Sequence, residues 1–218
     1  MMKVSLLATT IGLSVASIAS ADFIGFDGTV SENDQGNTVV MMYGVYDNSD
    51  TILLNLFAAD IGAPDGFIHS DVQVAAGGTW TPSATLDIPG FSDSGNDSYV
   101  TVGYAPGATN STALDPGFGS GLGATIPVGA GWYNGNPNNA QGVVEFAGGV
   151  KGISGYAALV GQFVFTGDEF AFIADIGSNT GAGTAVDFGQ GEFILPIPAP
   201  GALALLGLGG LAARRRRG

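Results

Sequence analysis

Few residues in this chain have types and spacings that could do chemistry. His69, Ser70 and Asp71 are the residue types of a hydrolytic triad. Adjacent positions cannot form one, because successive strand residues point to opposite faces and His69 and Asp71 would lie about 6–7 Å apart along a strand. The expectation for His69 is an ordinary, partly exposed histidine. Paired carboxylates about 5–10 Å apart could hydrolyse glycosidic bonds, but among 19 acidic residues no pair stands out. Gly117–Gly123 is glycine-rich without a lysine or a following helix, so it is no phosphate loop.

Two other clusters concern binding. Asp93, Asn96 and Asp97, and separately Asp47, Asn48 and Asp50, place hard oxygen atoms in turns, as calcium requires. The same residue types dominate turns for backbone reasons alone. A plain turn is therefore the primary reading, with calcium the alternative at Asp93, Asn96 and Asp97. No other cofactor is implied, and zinc is disfavoured by the lack of cysteine and the single histidine. Trp132, Tyr133 and Asn134, with Asn136 and Asn138 nearby, could stack and hydrogen-bond sugar rings. The competing and commoner use is a tryptophan that pins its loop to the core.

The elements that would position these groups are strands. The 37 glycines and 45% hydrophobic residues fit a turn-rich β protein rather than a disordered one. Thr38–Tyr46 is β-branched and aromatic, Asp47–Asp50 is a polar turn, and Thr51–Ala58 runs back, which predicts a hairpin. Tyr156–Thr166 and Glu169–Ile176 predict a second hairpin about Gly167 and Asp168. Phe163 and Phe165 share one face there, as do Phe170 and Phe172. Ile24–Val30, Gly66–Val74, Thr79–Leu86, Ser98–Tyr104, Gly142–Phe146, Ala185–Phe188 and Glu192–Leu195 are weaker strands. Residues 105–139 read as one long irregular loop. About nine to eleven short strands imply an all-β domain, an antiparallel β-sandwich of jelly-roll type.

Charge narrows the partners. Residues 22–197 hold all 19 acidic residues and one base, Lys151, a net charge of about −18. Nucleic acid is excluded as a partner, since phosphate binding needs clustered Lys and Arg. An anionic membrane surface is disfavoured for the same reason.

The ends carry the strongest patterns. Lys3, the apolar run Val4–Ile18 and the small-x-small site Ala19-Ser20-Ala21 form a secretory signal peptide. It would be handled by the Sec translocon and a signal peptidase cutting after Ala21. At the other end Pro198, Ala199 and Pro200 hold the backbone extended, open to a protease cleft. The apolar run Gly201–Ala213 follows, then Arg214, Arg215, Arg216 and Arg217, which stop translocation. Thirteen helical residues span about 20 Å, short of the roughly 30 Å hydrocarbon core. Such a helix suits a temporary anchor.

This three-part tail resembles the PEP-CTERM sorting signal of bacterial surface proteins, with Ala199 standing where the family motif has Glu. The resemblance covers about a tenth of the chain. It implies processing near Pro198–Pro200 by an exosortase-type transpeptidase. It also implies transient anchoring in the inner membrane, then delivery to the cell surface, outer envelope or an exopolysaccharide matrix. The expected organisation is a signal peptide at 1–21, an extracytoplasmic β domain at 22–195 and a sorting signal at 196–218. The expected function is that of a non-catalytic surface or matrix protein, with calcium bridging its acidic surface to anionic polysaccharide. A carbohydrate-binding module contacting glycan through Trp132 is the alternative, and a secreted polysaccharide hydrolase is the third.

Overall fold

A computed structural model of the chain describes residues 22–69, 80–81, 94–103, 111–118, 124–136, 142–181 and 183–196. Among these residues ten strands form two antiparallel sheets. The first sheet holds β1 (Phe23–Glu32), β2 (Thr38–Tyr46), β8 (Gly155–Phe165) and β4 (Tyr99–Val100) in that order, with β7 (Val144–Phe146) also paired to β8. The second runs β10 (Asp187–Leu195), β9 (Phe170–Asn179), β3 (Ile52–Gly62), β6 (Ala130–Asn134) and β5 (Thr112–Leu114). Among the described residues no helix is long and apolar enough to cross a membrane. The expected signal peptide, 1–21, and residues 197–218 of the expected sorting signal lie outside the described residues.

The sheets face each other across an aromatic core. Phe26 of β1 meets Phe172 of β9 edge-on at 4.8 Å, and Phe172 in turn lies 5.7 Å from Phe163 of β8. The alternation that put Phe163 with Phe165, and Phe170 with Phe172, on single faces is realised, with all four side chains in this core. Phe67 and Trp80, from irregular backbone, close one end of it. Along β10 the inward positions Gly189 and Gly191 lack side chains. A Cβ at Gly189 would strike Phe23, and one at Gly191 would come within 3.0 Å of Phe26. The rings of β1 therefore fill the space that β10 leaves, which is why β10 continues as one strand through its glycines.

Neither expected hairpin forms. β2 pairs with β1 and β8, whereas β3 pairs with β6 and β9, so the turn at 47–50 carries the chain from one sheet to the other. The turn at 166–169 does the same between β8 and β9. The pattern of apolar residues assigns a strand to a core but not to a hydrogen-bonding partner. A tight polar turn can reverse the chain between layers as readily as within one. Among the described residues the strands that pair with their neighbour in sequence are β1–β2, β5–β6, β7–β8 and β9–β10. The span expected as one long loop contains β5 and β6, whose short, glycine- and asparagine-flanked sequences give weak periodicity. Of the weaker strands expected at 66–74 and 79–86, the described residues 66–69 and 80–81 are irregular, and the rest lie outside the described residues.

One edge of the molecule is built around a buried carboxylate. Asp27 on β1 is fully buried and accepts four backbone N–H bonds. Oδ1 takes Gly28 at 2.7 Å and Lys151 at 2.9 Å; Oδ2 takes Gly149 at 2.9 Å and Ile153 at 2.8 Å. These bonds strap residues 148–153 across the β1 edge, where Val150 N–H also reaches the Gly28 carbonyl. From this strap Lys151 Nζ donates to the Glu192 carbonyl of β10 at 2.8 Å. Both neighbouring sheet edges are thus partly covered, which blunts strand addition there. Gly149 lies so close that a Cβ would overlap the Gly28 carbonyl oxygen.

Candidate functional site

Trp132 and Tyr133 are adjacent on β6, so strand alternation sends them to opposite faces. Trp132 goes inward. It is 0% exposed, packs 6.3 Å from Phe118, and its Nε1–H donates to the Thr101 carbonyl at 2.9 Å. The indole therefore has no open face for a sugar: of the two uses weighed for Trp132, the glycan contact gives way to the commoner one, a tryptophan pinned in the core. Tyr133 goes outward and is 43% exposed. Asn134 turns back into its own loop, its Oδ1 accepting from Ser111 Oγ at 2.8 Å and from Asn136 N–H at 3.0 Å. Asn138 lies outside the described residues.

The outward position of Tyr133 joins a row that sequence reasoning missed. Cross-strand registry places Phe188 of β10 opposite Gly177 of β9, Gly177 opposite Asn55 of β3, and Asn55 opposite Tyr133. Phe188 is 69% exposed and meets the half-buried Phe57 edge-on at 6.0 Å. A Cβ at Gly177 would overlap the Asn55 amide oxygen and would come within 3.4 Å of the Phe188 ring, so both side chains lean over the bare glycine. In the next row Gln190 Nε2 donates to Asp175 Oδ1 at 2.9 Å, and Asp175 lies opposite Phe57. The signal for this row is outward alternation on four strands. It is legible only once the order of those strands is known.

The remaining expected sites divide plainly. Asn96 Oδ1 accepts from Asn33 Nδ2 at 2.8 Å and from Asn37 Nδ2 at 2.9 Å, so it ties the β1–β2 turn to residues 94–96. Asp97 lies 3.3 Å from His69 Nδ1, and Asp93 lies outside the described residues. Asn96 and Asp97 thus engage separate partners, and among the described residues no group of three or more His, Asp or Glu is placed to hold a metal ion. At 47–50 the Asn48 Oδ1 accepts the Asp50 N–H at 2.9 Å, the geometry of an ordinary turn.

His69 is half-buried as a residue, but its ring is enclosed. Its side chain is 2% exposed and stacks on Trp80 at 4.3 Å, with Nδ1 2.9 Å from the Ser98 carbonyl oxygen. Ser70 and Asp71 lie outside the described residues, as do Ala19, Ala21, Pro198, Ala199, Pro200 and Arg214–Arg217. Burial pushes the phenols of Tyr46 and Tyr99 far above their ordinary range, with Tyr43 and Asp97 adding to the effect at Tyr99. No protein-family model, curated protein or solved structure matches this chain.

Proposed function

We propose that this is an exported surface or matrix protein, sorted through its tail and acting by binding or packing rather than by catalysis. The observation that carries the reading is the order of the tail: Pro198-Ala199-Pro200, then the apolar run 201–213, then Arg214–Arg217. An extended segment offered to a protease, a helix of marginal length and a translocation stop make sense together as a temporary anchor. The signal peptide ending at Ala21 supplies export. On this reading both apolar ends are helical and the domain between them has a jelly-roll-like arrangement.

The structural use of the chemically capable side chains supports the non-catalytic part. Asp27 is committed to four amides, His69 to a stack on Trp80 and Trp132 to the core. Asp115 Oδ1 holds the Gly117 N–H at 2.8 Å. Cell fractionation of a chain lacking residues 198–218 tests the reading. The truncated protein should leave the envelope for the medium or periplasm. A Pro198→Ala, Pro200→Ala double variant should accumulate uncut in the inner membrane. Unchanged distribution and unchanged length in both would remove the sorting reading.

A further inference from the structure

We infer that the outer face of the second sheet, between Phe188 and Tyr133, binds a neutral polysaccharide chain. Phe188 and Tyr133 stand on one cross-strand row, three strand spacings or about 14 Å apart at the backbone, and the row continues to Ala113 of β5. Between them Asn55 and the Phe188 ring lean over the bare Gly177 and cover it. The result is a polar strip with an exposed aromatic residue on either side, on a scaffold fixed by the packed inner face of the same strands.

The chemistry of this face selects its occupant. A sugar chain offers apolar C–H faces and hydroxyl donors. Exposed aromatic rings take the first, and amide or carboxylate oxygens accept from the second. The acceptors are in place: Asn55 within the row, Asp175 in the adjoining one, and Asp60 and Glu192 opposite Ile173 in the row beyond. All the ionisable groups among these are carboxylates, and Lys151, the one base in residues 22–197, directs its Nζ to a backbone carbonyl at the sheet edge. A polyanion would therefore be repelled. A second copy docked face to face would set carboxylates against carboxylates, which is also unfavourable. Uncharged polyol chains meet neither penalty. This inference stands apart from the tail, since it concerns only the domain.

The test is a titration of the full chain, held in a zwitterionic detergent, against three neutral probes and one acidic one. The probes are hydroxyethyl cellulose, dextran, galactomannan and alginate. Saturable binding to at least one neutral probe is expected, with alginate excluded. Phe188→Ala and Tyr133→Ala should each weaken that binding about tenfold or more, as loss of an interfacial aromatic anchor does. Val144→Ala, an equally exposed apolar change on the first sheet, should leave it unaltered. Thermal unfolding of each variant confirms that the fold is kept. The inference is overturned if no neutral probe binds, if alginate binds instead, or if the folded aromatic variants bind as well as the native chain. It is also overturned if Phe188→Ala merely abolishes self-association. A chain with a processed tail that binds no probe would remove this inference and leave the sorting reading standing.

Discussion

The two faces of the second sheet are built from the same strands and do opposite things. Inward, Leu56, Trp132, Phe172, Ile176 and Phe193 are all fully or almost fully buried in one continuous cluster. Outward, the residues beside them in sequence include Phe57, Tyr133 and Ile194, on a face that also carries the amide of Asn55 and the acids Asp60, Asp175 and Glu192. Trp132 and Tyr133 show the difference most sharply, since one covalent bond between residues separates a core anchor from a surface ring. An aromatic pair in a sequence is therefore not evidence for a binding platform until its strand is placed. Only the outward member is available to a ligand.

That contrast can be broken by experiment. Trp132→Ala should be the most damaging change, destabilising the domain by about 3–5 kcal/mol in urea unfolding because it leaves a large cavity. It also removes the hydrogen bond from the indole to the Thr101 carbonyl. A loss below about 1 kcal/mol would mean that Trp132 behaves as a surface residue. Asp27→Asn should follow at about 3 kcal/mol, since the amide turns an –NH2 toward backbone donors that the carboxylate accepted. Proteolysis of the native-like protein should then begin within residues 148–153. If the variant matches the parent in both respects, the strap does not depend on this carboxylate.

The buried phenols give a pH test of the interior. Tyr46 and Tyr99 hold their protons far more tightly when folded than the ordinary value of 10.0. Their contribution is fully present below pH 10 and is lost as the pH rises beyond it, because only the unfolded chain ionises readily there. Between pH 10 and pH 11 the loss should be on the order of 2 kcal/mol for the pair. A Tyr46→Phe, Tyr99→Phe variant should show a flatter melting temperature over that range; an identical slope would contradict the assignment. The smallest effect is expected outside: Phe188→Ala should change stability by no more than about 0.5 kcal/mol. A cost of several kcal/mol would show that the outer face helps hold the fold.

Much of the strand content was legible because alternation is local. The run from Thr38 to Tyr46 and the phenylalanines of 163–172 declared both their conformation and their buried faces. Pairing was not legible, because hydrogen-bond partners in a two-sheet fold are set by which layer each strand joins, and the turns at 47–50 and 166–169 look like hairpin turns. The Asp27 clasp joins residues more than 120 positions apart, so nothing near Asp27 announces it. The row from Phe188 to Tyr133 was hidden for the same reason. Each member lies on a different strand, and the eye falls instead on Trp132, the more conspicuous neighbour. The enclosure of the His69 ring was not legible, because it comes from Trp80 and Ser98, both supplied from other segments.

The proposed sorting is tested most directly by the intact mass of the protein recovered from its own cell envelope and medium. Processing predicts a chain that begins at Asp22 and ends near Pro198–Gly201, alone or carrying an added surface group. A chain that still runs through Arg214–Arg217 to Gly218 and stays in the inner membrane would contradict it, and the tail would then be a simple anchor.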